Sequence, residues 1–205
     1  MDKNKQEKSS LATRAKPLKQ QIRIAALVAT GTEDMELIVS VDVWRRAHFV
    51  VDLISIEKKN SVSLARGTSI KCTQTIDKTN LKQYNAIFLP GGPGYEKFLL
   101  EPKLIEHLRK FNEEKKWLFA ICSAPVVFYK LNLLKNNKIA CFPDDAKTVG
   151  TNYSKDPIVT SENFLTAMSA GCVFDFALKA IEVLTSKKDA NNIAKEIYYE
   201  KKRGK

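Results

Sequence analysis

A cysteine stands where a predicted strand turns directly into a predicted helix. The apolar run Trp117–Ile121 is typical of a strand buried on both faces, and Pro125, shortly after Cys122, is tolerated only in the first turn of a helix. A side chain at this junction projects beyond the sheet, beside the first free amides of the helix, whose partial positive charge favours loss of the thiol proton. We therefore predict that Cys122 is a nucleophile, and the alternative is a thiol that only fills the core.

A carboxyl group is predicted to lie near this thiol. Glu36 belongs to the start of the first predicted helix, between the apolar residues Met35 and Leu37. A partly desolvated carboxyl group close to Cys122 tends to stay protonated, so it could donate a hydrogen bond to the thiolate or transfer a proton. The alternative is a solvated surface carboxylate that interacts only with the helix dipole.

A glycine-rich turn is the third candidate. Residues 90–94 read PGGPG and follow an apolar segment at residues 85–89. Glycines allow main-chain amides to approach a ligand closely, and the amides of Gly92 and Ser123 together could bind the oxyanion that develops on a carbonyl group. Gly91 lies in the same turn. The turn lacks the Gly-Lys-Ser/Thr of a phosphate-binding loop, and a plain tight turn is the alternative.

The remaining histidines and cysteines are not expected to take part. His48 is predicted to lie at the opposite end of the sheet and His107 on a solvent-exposed helix face, which argues against cysteine-protease or amidotransferase chemistry. No metal site and no disulfide framework is predicted, because the cysteines are widely spaced and form no Cys-x-x-Cys pair. Three further cysteines are predicted to be structural: Cys72, Cys141 and Cys172.

The elements that must position these residues alternate between strand and helix. The patterns predict main strands at residues 22–29, 50–56, 85–89 and 117–121, and shorter strand segments within 61–76, 138–142 and 158–169. They predict helices that begin after residue 32, at 103–111, at 173–184 and from 189. A further helix is predicted from the strand-to-helix junction at Cys122, called the elbow below, to residue 134. This order predicts an α/β fold with a mostly parallel sheet and helices on both faces. Ligands bind beyond the carboxyl ends of such strands, so the three candidate segments are predicted to converge there.

The first helix carries a more detailed prediction. Thr32 is predicted to be its N-cap, with acidic residues in the first turn. Five apolar residues at helical spacing are predicted to face the sheet: Met35, Ile38, Val39, Val43 and Ala47.

Much of the net charge of +11 lies at the ends of this 205-residue chain. Residues 1–21 hold six basic and two acidic residues, and residues 187–205 hold seven and three, so each end contributes +4. We predict a basic, flexible N-terminal extension (1–21), one folded domain (22–186) and a basic C-terminal helix or tail (187–205). The tails could bind polyanions weakly. A cytoplasmic protein without membrane contact is expected, because apolar runs are short and the charged start does not resemble a secretory signal.

Three motifs in order carry a family resemblance: EDMEL with VDVWRRA in the first helix, PGGPG after a strand, and AICSAP at the elbow. They resemble the ThiJ/PfpI superfamily, and within it the branch of the parkinsonism-associated protein deglycase ("DJ-one"). The resemblance runs from about residue 23 to residue 184, and LTAMSAGCVFDFAL is similar to a late segment of that branch.

The resemblance implies a flavodoxin-like sandwich that forms homodimers and uses no cofactor. It implies Cys122 as the reactive cysteine and Glu36 as its protonated partner. It also implies an oxyanion site in the PGGPG turn and at Ser123. Two arginines would lie near the pocket and the dimer interface as substrate-binding residues: Arg46 and Arg66.

The family activities that the resemblance implies concern 2-oxoaldehydes. They are removal of early methylglyoxal and glyoxal adducts from proteins and nucleotides, cofactor-free conversion of methylglyoxal to lactate, and protection against oxidative stress. The alternative is a redox-sensing chaperone in which Cys122 is oxidised to a sulfinate. Two positions depart from relatives: Phe142, before Pro143, replaces a histidine of the animal branch and removes a possible proton carrier, and Ser123 replaces the histidine of the protease branch.

Overall fold

A computed structural model describes residues 21–199. Within these residues strands and helices alternate, and the elements in chain order are β1 (Arg23–Val28), α1 (Asp34–Arg46), β2 (Val50–Ser55), β3 (Ser61–Ser63), β4 (Ser69–Lys71), β5 (Gln74–Thr75), β6 (Ala86–Leu89), α2 (Pro102–Glu113), β7 (Trp117–Ile121), α3 (Pro125–Lys130), α4 (Ala146–Val149), β8 (Ile158–Ser161), β9 (Phe164–Ala167), α5 (Val173–Leu184) and α6 (Lys187–Glu196). A 3₁₀ segment, Pro93–Leu100, follows the PGGPG turn's first glycines.

Seven strands form one sheet in the order β5-β2-β1-β6-β7-β9-β8. All neighbours are parallel except β8 and β9, which form an antiparallel pair, and β3 and β4 form a separate hairpin. The strand order changes direction between β1 and β6, which is the position where open α/β sheets leave a crevice for a ligand. The predicted fold class, a flavodoxin-like sandwich with a mostly parallel sheet, is confirmed.

The sheet is covered on both faces because successive strand residues point to opposite sides. In β7, Leu118 and Ala120 pack with α2 and α3, whereas Phe119 and Ile121 pack with α1, α5 and α6. A strand buried on both faces must be apolar throughout, which explains the run in β7. The elbow after β7 is therefore anchored by core residues on both sides of the sheet.

The rotation of α1 differs from the prediction. Met35 and Ile38, predicted to face the sheet, are 51% and 46% exposed. Trp44 turns the helix: its ring packs edge-on to Phe88 with centroids 5.0 Å apart, and its Nε1 donates to the Ala177 carbonyl at 3.0 Å. Such an aromatic pair contributes about 0.5–1.5 kcal/mol beyond area burial.

This rotation decides where the carboxyl group of the first helix lies. The inward face that contains Trp44 also contains Glu36, Leu37, Ser40 and Val41, which are all buried. Glu36 thus enters the core because the largest side chain of its helix does. The prediction of its neighbourhood was correct. The predicted helix face was correct for Val43, which is buried, and for Val39 and Ala47, which pack against the core, and wrong for Met35 and Ile38.

Two local predictions near the site are also wrong. Thr32 does not cap α1: Glu33 occupies that position without a side-chain bond, and Thr32 Oγ1 instead accepts from the Ala29 amide at 3.1 Å to close the turn after β1. Residues 138–142 form no strand beyond a single bridge between Ile139 and Tyr153.

The helix after the elbow is shorter than predicted. It ends at Lys130, not near residue 134, because Asn132 and Lys135 have left-handed backbones with φ of 56° and 49° and turn the chain away. A short helix suffices here, since its first turn is the part that meets Cys122.

The predicted domain limits remain predictions. Most of the N-terminal extension, residues 1–20, and residues 200–205 lie outside the described residues. The basic C-terminal segment begins as α6, whose Ala190 and Ile193 are buried with the core on the α1 side of the sheet. In the described part of the chain no helix has the length and apolar character needed to cross a bilayer.

Candidate active site

Cys122 occupies a strained elbow between β7 and α3. Its φ of 63° lies in the left-handed region, which costs a non-glycine residue about 1–3 kcal/mol. Both main-chain polar groups of Cys122 are held: its amide donates to the Ala167 carbonyl at 2.9 Å, and its carbonyl accepts from the Phe142 amide at 2.8 Å. The side chain is partly exposed, in contrast to the buried Cys72 and Cys141. The elbow thus presents the thiol beyond the end of the sheet, as predicted.

The carboxyl group of Glu36 meets this elbow at Gly91. Glu36 has no exposed surface, and its Oε2 accepts a hydrogen bond of 2.7 Å from the Gly91 amide. A Cβ atom built on Gly91 would lie 2.7 Å from Cys122 Cβ and 2.9 Å from Glu36 Oε2. The absence of a side chain at Gly91 therefore allows the thiol and the carboxyl group to approach each other.

The environment of Glu36 favours its protonated form. Burial raises the pKa of Glu36 to about 7, and the negative charge of Glu33 adds to the rise. The Gly91 amide and the Cys122 thiol act in the opposite sense. Oε1 of Glu36 is buried and, among the described residues, has no partner with good hydrogen-bond geometry. Near neutral pH this carboxyl group can therefore both release and accept a proton.

The thiol of Cys122 does not ionise as easily as predicted. Burial and, after it, the Glu36 carboxylate raise the pKa of Cys122 to about 12, although the amide and hydroxyl of Ser123 act in the opposite sense. The prediction of a readily formed thiolate is wrong, because the desolvation of the sulfur outweighs the amides of a six-residue helix.

Together the two groups behave as a pair that holds one proton at neutral and moderately alkaline pH. Below a pH of about 7 both groups are protonated, and only above a pH of about 12 is neither. Between these two pH values the shared proton is either on the Cys122 sulfur or on a Glu36 carboxyl oxygen. Moving it from Cys122 to Glu36 creates a thiolate beside a neutral acid, without exchange of a proton with solvent.

The two predicted oxyanion amides belong to the residues that follow Gly91 and Cys122 in the chain, Gly92 and Ser123. Gly92 has φ of 86°, and a Cβ atom there would lie 2.5 Å from the Glu33 amide nitrogen and 2.6 Å from the Gly31 carbonyl oxygen. Only glycine fits this left-handed and crowded position. Within residues 21–199 no main-chain carbonyl accepts from the amides of Gly92 or Ser123, and the Ser123 amide acts on the Cys122 sulfur.

Arg66 lies at the edge of this site. Its side chain is largely exposed and forms an ion pair with Glu33, with Nη2 and Oε2 3.2 Å apart. Its amide donates to Asp34 Oδ2 at 2.8 Å, so the β3–β4 turn is fixed to the start of α1. Arg66 thus acts near Glu36 through Glu33, and a direct role in substrate binding stays a prediction.

Arg46 is not brought to the site. It lies at the other end of α1, ten residues or about 15 Å along the helix from Glu36. Its guanidinium forms ion pairs with Asp42 at 2.8 Å and Glu196 at 3.1 Å. A cavity of about 890 Å³ lies at this far end, and His48 lines it with Arg46. The prediction that Arg46 belongs to a dimer interface is untested.

The other predicted positions are placed as follows. His107, predicted to be solvent-exposed, is only 8% exposed, and burial lowers its pKa. Phe142 lies next to Cys122 through its amide, so the position predicted from the resemblance is correct and carries no titratable side chain. Among the described residues no cluster of three or more His, Cys, Asp or Glu could hold a metal ion.

Two contributors to the site were missed from the sequence. Glu33 donates its amide to the Gly91 carbonyl at 2.9 Å and influences the pKa of Glu36. The Ala167 carbonyl holds the amide of Cys122. The adjacent charges in TEDME gave a signal for Glu33, but main-chain bonds such as that of Ala167 leave no trace in residue types.

Replacing Gly91 with alanine should separate the pair. The added methyl group cannot fit between Cys122 Cβ and Glu36 Oε2, so we expect Gly91→Ala to lower the free energy of unfolding by about 1–3 kcal/mol. We also expect it to speed alkylation of Cys122, because a thiol moved away from the Glu36 carboxylate ionises more easily. Urea denaturation and iodoacetamide labelling measure the two effects. Gly171→Ala is the control, because its nearest neighbour would be Ser169 Oγ at 3.8 Å. Equal stability and labelling in both variants would contradict the geometry.

Comparisons with known proteins agree with the fold and the motifs. A sequence model of the DJ-1/PfpI family matches residues 22–183. An uncharacterized protein of Mycoplasma pneumoniae is 30% identical over 171 residues, 80% of this chain and 82% of that protein. A Caenorhabditis elegans protein named as a glutathione-independent glyoxalase is 27% identical over 181 residues, 87% of this chain and 96% of that protein. Oxidized DJ-1 of Toxoplasma gondii superposes with a TM-score of 0.85 at 28% identity, covering 88% of this chain and 100% of that one. The chain belongs to the DJ-1/PfpI family.

Proposed function

We propose that this protein is a cysteine-dependent enzyme acting on methylglyoxal and its early adducts, as a cofactor-free glyoxalase or a deglycase. The observation that carries the proposal is the buried Glu36 carboxyl group, with a pKa of about 7, against the thiol of Cys122. A carbonyl substrate requires a nucleophile and a group that moves protons near neutral pH. The pair supplies both.

The first step is addition of the thiol to the aldehyde carbon. The Glu36 carboxylate accepts the Cys122 proton as the sulfur–carbon bond forms, and the electron pair of the carbonyl bond moves to oxygen. The amides of Gly92 and Ser123 are available to bind that oxyanion. Glu36 then returns the proton to the oxygen, which gives a hemithioacetal and restores the carboxylate.

The second step is an internal oxidation and reduction within the substrate. Glu36 accepts the hydrogen of the former aldehyde carbon as a proton, and the electron pair of that bond forms an enediolate whose negative charge is on the former ketone oxygen. Glu36 then returns the proton to the neighbouring carbon, and the proton of the first hydroxyl group passes to the former ketone oxygen. The product is a thioester of lactate on Cys122, which water hydrolyses to lactate and free thiol. The sum is methylglyoxal plus water giving lactate. Because residue 142 is phenylalanine, Glu36 must carry these protons.

The deglycase form of the reaction uses the same groups. An early adduct of methylglyoxal with a thiol or amine carries the same two-carbon unit, and hydrolysis would release lactate and the repaired group. The partly exposed position of Cys122 suits a substrate attached to a protein or nucleotide. The name of the C. elegans relative, a glutathione-independent glyoxalase, supports the glyoxalase form.

The expected homodimer is part of the proposal. Met35 and Ile38 are exposed on the outer face of α1, directly beside the residue that turns inward, Glu36. A groove lined by Ile38, Leu53 and Ile70 continues this apolar face toward the β3–β4 hairpin. A second copy of the chain would cover these side chains.

The decisive assay follows methylglyoxal consumption and lactate formation without glutathione. Wild-type protein should form lactate, Cys122→Ser should be reduced to the uncatalysed rate, and Glu36→Gln should lose about 10²–10⁴-fold, because the amide cannot accept a proton. Release of free thiol from a methylglyoxal-treated cysteine peptide tests the deglycase form with the same variants.

The matched control is Cys172→Ser, which removes another partly buried cysteine located at the start of a helix. It should keep the wild-type rate. Equal rates in wild-type, Cys122→Ser and Glu36→Gln proteins would refute the enzymatic function.

A redox-sensing chaperone is the second candidate, favoured by the polar groups that surround one partly exposed sulfur. The Ser123 amide and hydroxyl and a protonated Glu36 could all donate to the oxygens of a Cys122 sulfinate. Formation of the sulfinate consumes two molecules of peroxide and releases two of water. Such a change would alter charge at the site and could regulate partner binding.

Mild peroxide treatment followed by mass spectrometry tests this candidate. The gain of two oxygen atoms, about 32 Da, should occur first on Cys122. Cys172 is the internal control, because it is also partly exposed and its sulfur contacts the Ser169 hydroxyl group at 4.0 Å. Equal oxidation of Cys122 and Cys172 would exclude a sensor based on this site.

A further inference from the structure

β9 contains a buried hydroxyl group. All four residues of this strand are buried, and Thr166 has no exposed surface. A buried hydroxyl group costs free energy unless it is hydrogen-bonded, and the Oγ1 atom of Thr166 accepts from the Ala140 amide at 2.9 Å. This bond holds residues 138–142, which were predicted to be a strand but form only the single bridge between Ile139 and Tyr153.

Thr166 and its neighbour are connected to Cys122 along two routes. The Ala167 carbonyl accepts directly from the Cys122 amide at 2.9 Å. The segment held by Thr166 continues from Ala140 to Phe142, whose amide donates to the Cys122 carbonyl at 2.8 Å. The main chain and these three hydrogen bonds form a closed ring that begins and ends in β9.

This ring of main chain and hydrogen bonds holds Cys122, whose backbone is left-handed with φ of 63°. A left-handed backbone at a non-glycine residue persists only where the surroundings hold it. The two bonds to Cys122 fix the peptide planes before and after its α-carbon, and so fix the direction in which its side chain leaves the main chain. In the observed direction Cys122 Cβ and Glu36 Oε2 lie on the same side of Gly91, 2.7 Å and 2.9 Å from the position that a Cβ atom on Gly91 would occupy.

We propose that Thr166 is a positioning residue for Cys122. Its hydroxyl oxygen, acting through Ala140 and Phe142, keeps the elbow in the conformation that directs the thiol toward Glu36. This inference rests on Cys122 being the reactive thiol of the proposed function. Its test uses alkylation of that thiol, which requires no substrate and no turnover.

The test compares two variants of Thr166. Thr166→Val keeps the shape of the side chain but leaves the Ala140 amide without its acceptor. The thiol then turns away from the buried position beside Glu36 that raises its pKa, so we expect iodoacetamide, which reacts with the thiolate, to label Cys122 about five- to tenfold faster, the effect of one lost hydrogen bond. Thr166→Ser keeps the hydroxyl group and should restore the wild-type rate. The rates are read on the peptide containing Cys122 over a range of pH, with protein folding checked by circular dichroism.

The matched control is Thr75→Val. Thr75 is also a buried threonine of the sheet, in β5 at the other side, and among the described residues its Oγ1 has no hydrogen-bond partner. Its replacement should leave labelling of Cys122 unchanged. If the valine variant of Thr166 does not fold, Thr166→Ala removes the same acceptor and takes its place.

A folded Thr166 variant without the hydroxyl that labels Cys122 at the wild-type rate would overturn the proposal, even if its stability were lower. Fast labelling that Thr166→Ser shows as well would also overturn it. Because labelling is independent of methylglyoxal, a protein without turnover could still show the effect, so failure of the proposed function and failure of this inference are distinguishable.

Discussion

The site depends on one interaction, the close approach of the buried Glu36 carboxyl group to the thiol of Cys122. Burial alone would penalise either charge, and the two groups together retain one proton over a wide pH range. The reactive state is therefore a redistribution of that proton within the pair. This differs from a cysteine activated by histidine or by a long helix, since α3 has only six residues and the position near the elbow that could hold a histidine is Phe142.

The fold maintains this contact from three directions. Trp44 sets the rotation of α1 and turns Glu36 inward, the glycines at 91 and 92 allow the turn after β6 to enter between α1 and the elbow, and the ring through Ala167 and Phe142 holds the left-handed Cys122. Each support lies on a different element: Trp44 acts from the last turn of α1, whereas the glycines and the ring lie at the edge of the sheet that contains the site. A parallel sheet makes this possible, because the carboxyl ends of neighbouring strands β1, β6 and β7 lie side by side.

The sequence was informative where function follows from position along a strand. The apolar run of β7, the Pro125 that marks a helix start and the glycine turn predicted the fold and brought Cys122, Glu36 and Gly91 together. The sequence was misleading where contacts between residues distant in the chain determine the structure. The packing of the Trp44 side chain sets the rotation of α1, so Met35 and Ile38 are exposed despite their apolar spacing. Desolvation raises the thiol pKa, which the sequence had predicted to be lowered. Thr166 was not recognised, because its partner is a main-chain amide distant in sequence.

The most direct test of this account is the protonation of Glu36 itself. Carbon-13 NMR of the glutamate carboxyl carbons, with the Glu36 signal assigned by its loss in Glu36→Gln, gives its titration curve in the folded protein. The account predicts a midpoint near pH 7, with the signal of a neutral acid at pH 5. A midpoint near the ordinary value of 4.5 would show that the carboxyl group is not held as a proton carrier beside Cys122, and would contradict the account.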